Sequence, residues 1–223
     1  MAFAPQEKQK GIAGRQDVFR KRGTNMDCNN IKHNAAASGV CRENFCWYFL
    51  EDSLYIEGNG ALDYAEDWGY FYDPPVSESR KRNKPVIHPW KELIPQIRHI
   101  EIAPGCMELG LGCFEEHYAL ETVTIPDTVR KIGVQAFYGC RNMREVVIPE
   151  SVEEIEDLAF CGCISMKSAV VPKGIQRIGY QSFAYCKELT DLRMPETVGE
   201  IGEAAFLGVA NVTYRGSLES ENF

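Results

Sequence analysis

No run in this 223-residue chain reaches the 18 or so consecutive apolar residues that a membrane helix needs, so no membrane span is expected. The opening MAFAPQEKQKGIAGRQDVFRKRG lacks the apolar core of a secretory leader. Histidine is scarce: His33, His88, His99 and His117 are the only four, and no nucleophile motif accompanies them. Glycine loops that cradle phosphate are missing, because Gly58-Asn59-Gly60 follows a hairpin pattern and lacks a third glycine ahead of a helix. Cys161 and Cys163 form a C-x-C pair without the second pair that a zinc site requires. Cys106, Cys113 and His117 make the one other grouping of soft ligands, and each has a place in a repeated pattern that accounts for it without metal. The expectation is therefore no catalytic residue, no metal and no cofactor.

A basic balance is missing too. Residues 1–33 carry seven Lys or Arg against three Asp or Glu, but the remainder carries 17 against 29. An acidic body repels phosphate, which argues against nucleic acid as the partner and leaves the basic arm as a solvated tail. Nine cysteines cannot all pair within one chain. Cys28 has Cys41 and Cys46 as its candidate partners in an oxidising compartment.

What the chain does have is one sentence written four times. LETVTIPDTVRKIGVQAFYGCRN is followed by MREVVIPESVEEIEDLAFCGCIS, MKSAVVPKGIQRIGYQSFAYCKE and LTDLRMPETVGEIGEAAFLGVAN, a step of 23 residues. Proline recurs at Pro126, Pro149, Pro172 and Pro195, and phenylalanine at Phe114, Phe137, Phe160, Phe183 and Phe206, which extends the pattern back into a degenerate copy from Ile97. A fixed period of this size means stacked units, none of which buries its apolar face alone. L-x-x-V-x-I-P predicts a short strand closed by proline, which has no donor for the next ladder bond. The second half returns the chain with Ile132, Phe137 and Cys140 inward, and Cys140, Cys163 and Cys186 stack as small buried filler. Gly133, Gly179 and Gly202 are expected to supply left-handed corners, with Glu156 in that place in the third copy. In SVEEIED, Val152 and Ile155 should point inward and Glu153, Glu154, Glu156 and Asp157 toward solvent.

The rest divides around the array. Residues 1–40 have no apolar period and read as a disordered polar and basic arm. NFCWYFL and SLYIEGNG read as a β-hairpin burying Trp47, Phe49, Leu54 and Ile56, within a cap over residues 41–96. That cap includes a long irregular loop, 65–87, and one helical turn at Trp90 to Ile94. The loop's Trp68, Tyr70, Tyr72, Arg80, Lys81 and Arg82 form an alternative contact patch, since aromatic and basic residues are favoured at interfaces. The array spans 97–216 in about five units, and 217–223 is a frayed tail.

The repeat consensus I-P-x-x-V-x-x-I-G-x-x-A-F-x-x-C-x-x-L resembles the BspA-type leucine-rich repeats from Ile97 to Val212. Trp47, Gly58, Gly60, Asp63, Tyr64, Pro89 and Trp90 are similar to the segment that precedes such arrays. The resemblance implies a repeat solenoid, mainly β: a right-handed leucine-rich-repeat array of short parallel strands preceded by a small β-hairpin cap. It implies no enzyme, but a protein-binding module linked to cell adhesion and host interaction at the cell surface or in secretion. With no apolar leader in this chain, a cytoplasmic location is the alternative.

The expected binding surface is the sheet face, with His99, Thr122, Glu145, Ser168 and Asp191 in one row and Glu101, Thr124, Val147, Val170 and Arg193 in the next. The partner is a protein or peptide that the repeat frame cannot name, and a monomer is favoured. The alternative function is a structural spacer or self-assembly module without a dedicated ligand.

Overall fold

The structure is a computed structural model that describes residues 35–41, 44–63, 88–195 and 197–209. Most of the basic arm, Cys28, the loop patch of Trp68, Tyr70, Tyr72, Arg80, Lys81 and Arg82, and the C-terminal tail lie outside the described residues.

Stacked parallel strands form a β-solenoid of about four turns with almost no helix. Each coil contributes one strand to each of two sheets. The first sheet contains β1 (Ala37–Cys41), β2 (Phe45–Leu50), β3 (Ser53–Gly58), β5 (His99–Ile102), β7 (Thr122–Thr124), β9 (Glu145–Val147), β11 (Ser168–Val170) and β13 (Asp191–Arg193). Its ladder runs β1-β2-β3-β5-β7 and then, after an interruption, β9-β11-β13. The second sheet is unbroken: β4 (Gly60–Leu62), β6 (Cys106–Leu109), β8 (Lys131–Ile132), β10 (Glu154–Ile155), β12 (Arg177–Ile178) and β14 (Glu200–Ile201). A third side of tight turns closes each coil. There the N–H groups of one coil donate to carbonyls of the next, as from Phe137 to Ala159 at 2.7 Å and from Phe160 to Ser182 at 2.7 Å.

The hairpin of β2 and β3 continues the array, because β3 pairs in parallel with β5 and sets Leu54 beside Ile100 and Ile56 beside Ile102. One short 3-10 turn, Lys91–Leu93, follows Trp90. The strand β1 differs from the reading of residues 1–40 as disordered. It carries no hydrophobic signal because it pairs along an edge and is made of small residues. A Cβ at Gly39 would stand 2.8 Å from Trp47 Nε1, so the Trp47 ring needs a bare backbone there.

The core is built from columns that repeat every coil. Rings of Phe114, Phe137, Phe160, Phe183 and Phe206 stack with centroids 5.4, 5.3, 5.1 and 5.8 Å apart in turn. Beside them the thiols of Cys140, Cys163 and Cys186 donate to the carbonyls of Phe114, Phe137 and Phe160, each at 3.3 Å. Burial pushes the Cys140 thiol well up, so these groups are donors and filler and not nucleophiles. Of the cysteines outside the column, Cys46 is disulfide-bonded and Cys41 is a buried thiol.

Two of the sequence expectations are corrected. Gly133, Gly179 and Gly202 do not adopt positive φ; they are glycine because the coils touch there, a Cβ at Gly179 falling 2.5 Å from Asp157 N. The left-handed corners lie elsewhere, at Gln135, Leu158, Gln181 and Ala204, and at Gly139 and Gly162 with φ 71 and 77. Asp157 is also buried, not solvated, and its Oδ1 accepts from Tyr180 N at 2.9 Å and Arg177 at 3.1 Å.

Two stability outcomes follow from these columns. Phe160→Ala should cost about 3–5 kcal/mol, since both faces of the ring lose a neighbour. Gly139→Ala should cost about 1 kcal/mol through its left-handed backbone, and Gly179→Ala more, because the neighbouring backbone has to move. Denaturant midpoints of the three variants would check this order, and equal costs for the two glycines would contradict it.

Candidate functional site

The two sheets spend their charges differently. Down the second sheet Glu108, Lys131, Glu154, Arg177 and Glu200 occupy matching positions, so the sign alternates from coil to coil. Lys131 lies 3.5 Å from Glu108 and 3.0 Å from Glu156, and Arg177 lies 3.1 Å from Asp157 and 3.9 Å from Glu200. Burial works against the Lys131 charge, but the Glu156 hydrogen bond and the fields of Glu156, Glu108 and Glu154 hold its ammonium above the usual lysine range. These carboxylates also hold the turns, Glu156 accepting from Val134 N at 3.2 Å and Asp63 from Leu111 N at 3.0 Å. Both cations of this face, Lys131 and Arg177, are engaged within the coil stack.

The first sheet presents the two predicted rows in register. His99 stands beside Thr122 and Glu101 beside Thr124; Glu145, Ser168 and Asp191 line up, as do Val147, Val170 and Arg193. Pairing through β3 extends the rows by Ser53 and Tyr55, which the sequence reading missed because no repeat spacing relates the hairpin to the array. The rows are unequal in exposure. Glu101 is only 5% exposed. His99 is engaged on both ring nitrogens, with Nδ1 2.7 Å from Thr122 Oγ1 and Nε2 3.7 Å from Asp52 Oδ2. Beyond the interruption after β7 the face opens: Val147 is 66% and Val170 43% exposed.

Around the two valines lie Glu145, Ser168, Asp191 and Arg193. Asp191 accepts two hydrogen bonds from Arg193, at 3.1 and 3.0 Å, within its own coil. Glu145 has no ion-pair partner among the described residues. Arg144 and Lys167, both exposed, flank the sheet at its edge, and Glu121 bridges Arg98 at 2.6 Å and Arg144 at 3.9 Å. Two or three strands at ~4.8 Å spacing make a patch about 10 Å long, the size of a few residues of a partner.

The residues considered for chemistry have structural partners. Cys106 donates to the Glu108 carbonyl at 3.4 Å, and burial holds its thiol up at about 11 against the pull of the Glu108 and Leu62 backbone. Cys113 points at the Ala136 carbonyl, 3.9 Å away. Cys161 packs with Leu158, Ala184 and Tyr138 in a small cluster outside the main core. His117 is buried against Trp90. No three His, Cys, Asp or Glu side chains among the described residues are placed to share a metal ion, and no helix there is long and apolar enough to cross a membrane.

The model of the BspA type Leucine rich repeat region matches residues 107–217 in six copies. No curated protein matches the chain. Among solved structures, a leucine-rich repeat protein from Eubacterium ventriosum is 18% identical with a TM-score of 0.61, the match covering 81% of this chain and 44% of that one. A leucine rich cell surface protein from Faecalibacterium prausnitzii is 20% identical with a TM-score of 0.51, over 84% of this chain and 57% of that one. A leucine-rich repeat protein from T. pallidum is 23% identical with a TM-score of 0.49, over 78% and 66%. These likenesses concern the fold, and the chain spans 66% or less of the length of the three.

Stability should separate the two faces. Asp157→Ala removes a buried carboxylate that accepts from the part-buried Tyr180 N–H and from Arg177, and should cost about 1–3 kcal/mol, whereas Glu145→Ala and Asp191→Ala should each stay within about 0.5 kcal/mol of the parent. Thermal unfolding of the three variants measures this, and a large loss at Glu145 would make that residue part of the frame.

Proposed function

Since the repeat array of this chain belongs to the BspA-type leucine-rich-repeat family, we propose that it is a non-enzymatic protein-binding module working through the open part of its first sheet. Leucine-rich-repeat proteins are typically protein-interaction or surface proteins and generally non-enzymatic binding scaffolds. In this reading residues 41–96 cap an array over 97–216, and the partner is a protein or peptide met in adhesion or host recognition at the cell surface.

One observation carries the assignment to the sheet. Val147 and Val170 stand exposed in register, ringed by Glu145, Ser168, Asp191 and Arg193, at positions where the repeat frame demands nothing. Apolar side chains set side by side in a polar rim are the make-up of a small interface. The second sheet instead sets charges of alternating sign at its matching positions from coil to coil. A patch of this size supports weak binding unless further residues join it.

The test begins with a pull-down from host extracellular matrix and from cytosol, followed by titration of the purified partner. Glu145→Ala with Asp191→Ala should weaken binding about tenfold, roughly 1.4 kcal/mol. Glu203→Ala, on the turn side, should not. Unchanged affinity in the double variant would move the site to the segment holding Trp68, Tyr70, Tyr72, Arg80, Lys81 and Arg82. Concentration-dependent light scattering with no partner captured would instead favour the self-assembly reading.

A further inference from the structure

The position that holds cysteine in the next three coils holds His117 in the first, and its side chain is fully buried. Each cysteine has the phenylalanine carbonyl of an earlier coil to donate to. His117 meets Trp90 instead, with Trp90 Nε1 and His117 Nε2 2.8 Å apart. An indole N–H only donates, so Nε2 must be the unprotonated ring nitrogen. The ring proton then sits on Nδ1 and is donated to the Glu115 carbonyl at 3.1 Å. Neutral imidazole in this one tautomer satisfies both contacts.

Trp90 joins the two parts of the core. Its ring lies 6.3 Å from Phe114, the first ring of the column, and edge-on to Trp47 of β2 at 6.0 Å. His88 also stacks on Trp90, at 5.6 Å, and stands 5.0 Å from His117.

We propose that the Trp90–His117 hydrogen bond is an acid-sensitive latch that fastens the hairpin end of the core to the first coil and opens when His117 takes up a proton. The proton arrives on Nε2, where the indole donates, and two N–H groups then face each other with no acceptor between them. The new cation lies among Trp90, Phe114 and His88 on a fully buried ring, where a charge is costly. The titratable groups packed near it are His88, Cys140 and the buried Glu115, and two facing N–H groups cannot hydrogen-bond whichever of these is charged. Burial, then His117 itself, holds His88 neutral down to about 2. Cys140 of the next coil keeps its proton, and Glu115 of the same turn meets the ring through its backbone carbonyl.

Burial lowers His117 to about 4 from 6.5, against the opposing backbone hydrogen bonds of Glu115 and Phe114. Because the closed state holds the lower value, the latch is fully effective above 6.5 and is lost progressively as pH falls toward 4.

The indole N–H resonance of Trp90 in the full chain, assigned by its absence in Trp90→Phe, reads the latch directly. In the parent it should shift and vanish between pH 6.5 and 4 while far-UV circular dichroism of the array persists. In His117→Gln, where an amide oxygen accepts from the indole and cannot be protonated, it should stay in place over the same range. Carboxylate titration elsewhere is common to both proteins, so the difference belongs to His117. A parent resonance that does not move, or one that moves equally in the variant, would overturn the proposal. Should the variant fail to fold, imidazole nitrogen shifts of the parent decide: protonation of His117 with the Trp90 signal unchanged would sink the latch, and simultaneous change would uphold it.

Discussion

Each coil of this protein has to hand its backbone hydrogen bonds to the next at a spacing of roughly 4.8 Å, and most other features of the molecule follow from that. A side chain that points inward from one coil meets the same position of the next. Only residue types that pack on copies of themselves can fill the interior. Phenylalanine rings stacked at 5.1 to 5.8 Å satisfy this, as do thiols that donate along the stack to phenylalanine carbonyls. The same constraint disfavours like charges in one column, and the second sheet meets it by alternating Glu108, Lys131, Glu154, Arg177 and Glu200.

Where the column has no further copy of itself, its chemistry changes. At the hairpin end the array gives way to Trp90, and the cysteine place is taken by His117, which can accept from an indole as a thiol cannot do well. The end of a stack is where a repeat must improvise, and a titratable group fixed in one tautomer is what this chain uses. The first sheet shows a related division. Its part nearest the hairpin has its outward residues engaged or covered, as at His99 and Glu101, while β9, β11 and β13 leave theirs open.

Much of the fold was legible because spacing is a one-dimensional quantity. The 23-residue step names the first-sheet strands, the inward Phe and Cys positions and the proline after each of those strands, all of which depend on neighbours one period away, but it left the two-residue strands of the second sheet read as a turn. The strand β1 was not legible, because Ala37, Ser38 and Gly39 carry no period and their pairing is dictated by a tryptophan on the partner strand. The glycine column was visible but its reason was misread: a repeated glycine looks the same in sequence whether it serves a left-handed turn or a close approach. Asp157 likewise sat in an acidic run, and nothing local marked it as the acceptor for Tyr180 and Arg177 of the following coil.

Of the candidate site, the sequence alone determined which residues share a row, since register in a parallel stack follows from the period. It also determined the solenoid, for a unit with one apolar face has to be covered by its own copy. Tertiary structure alone decided which members of those rows are open. Exposure depends on what lies across the sheet and at its ends: the hairpin ties Asp52 to His99, the ladder breaks after Thr124, and Val147 and Val170 emerge beyond the break. It also decided the tautomer of His117, because that depends on an indole 27 residues away that no repeat relates to it.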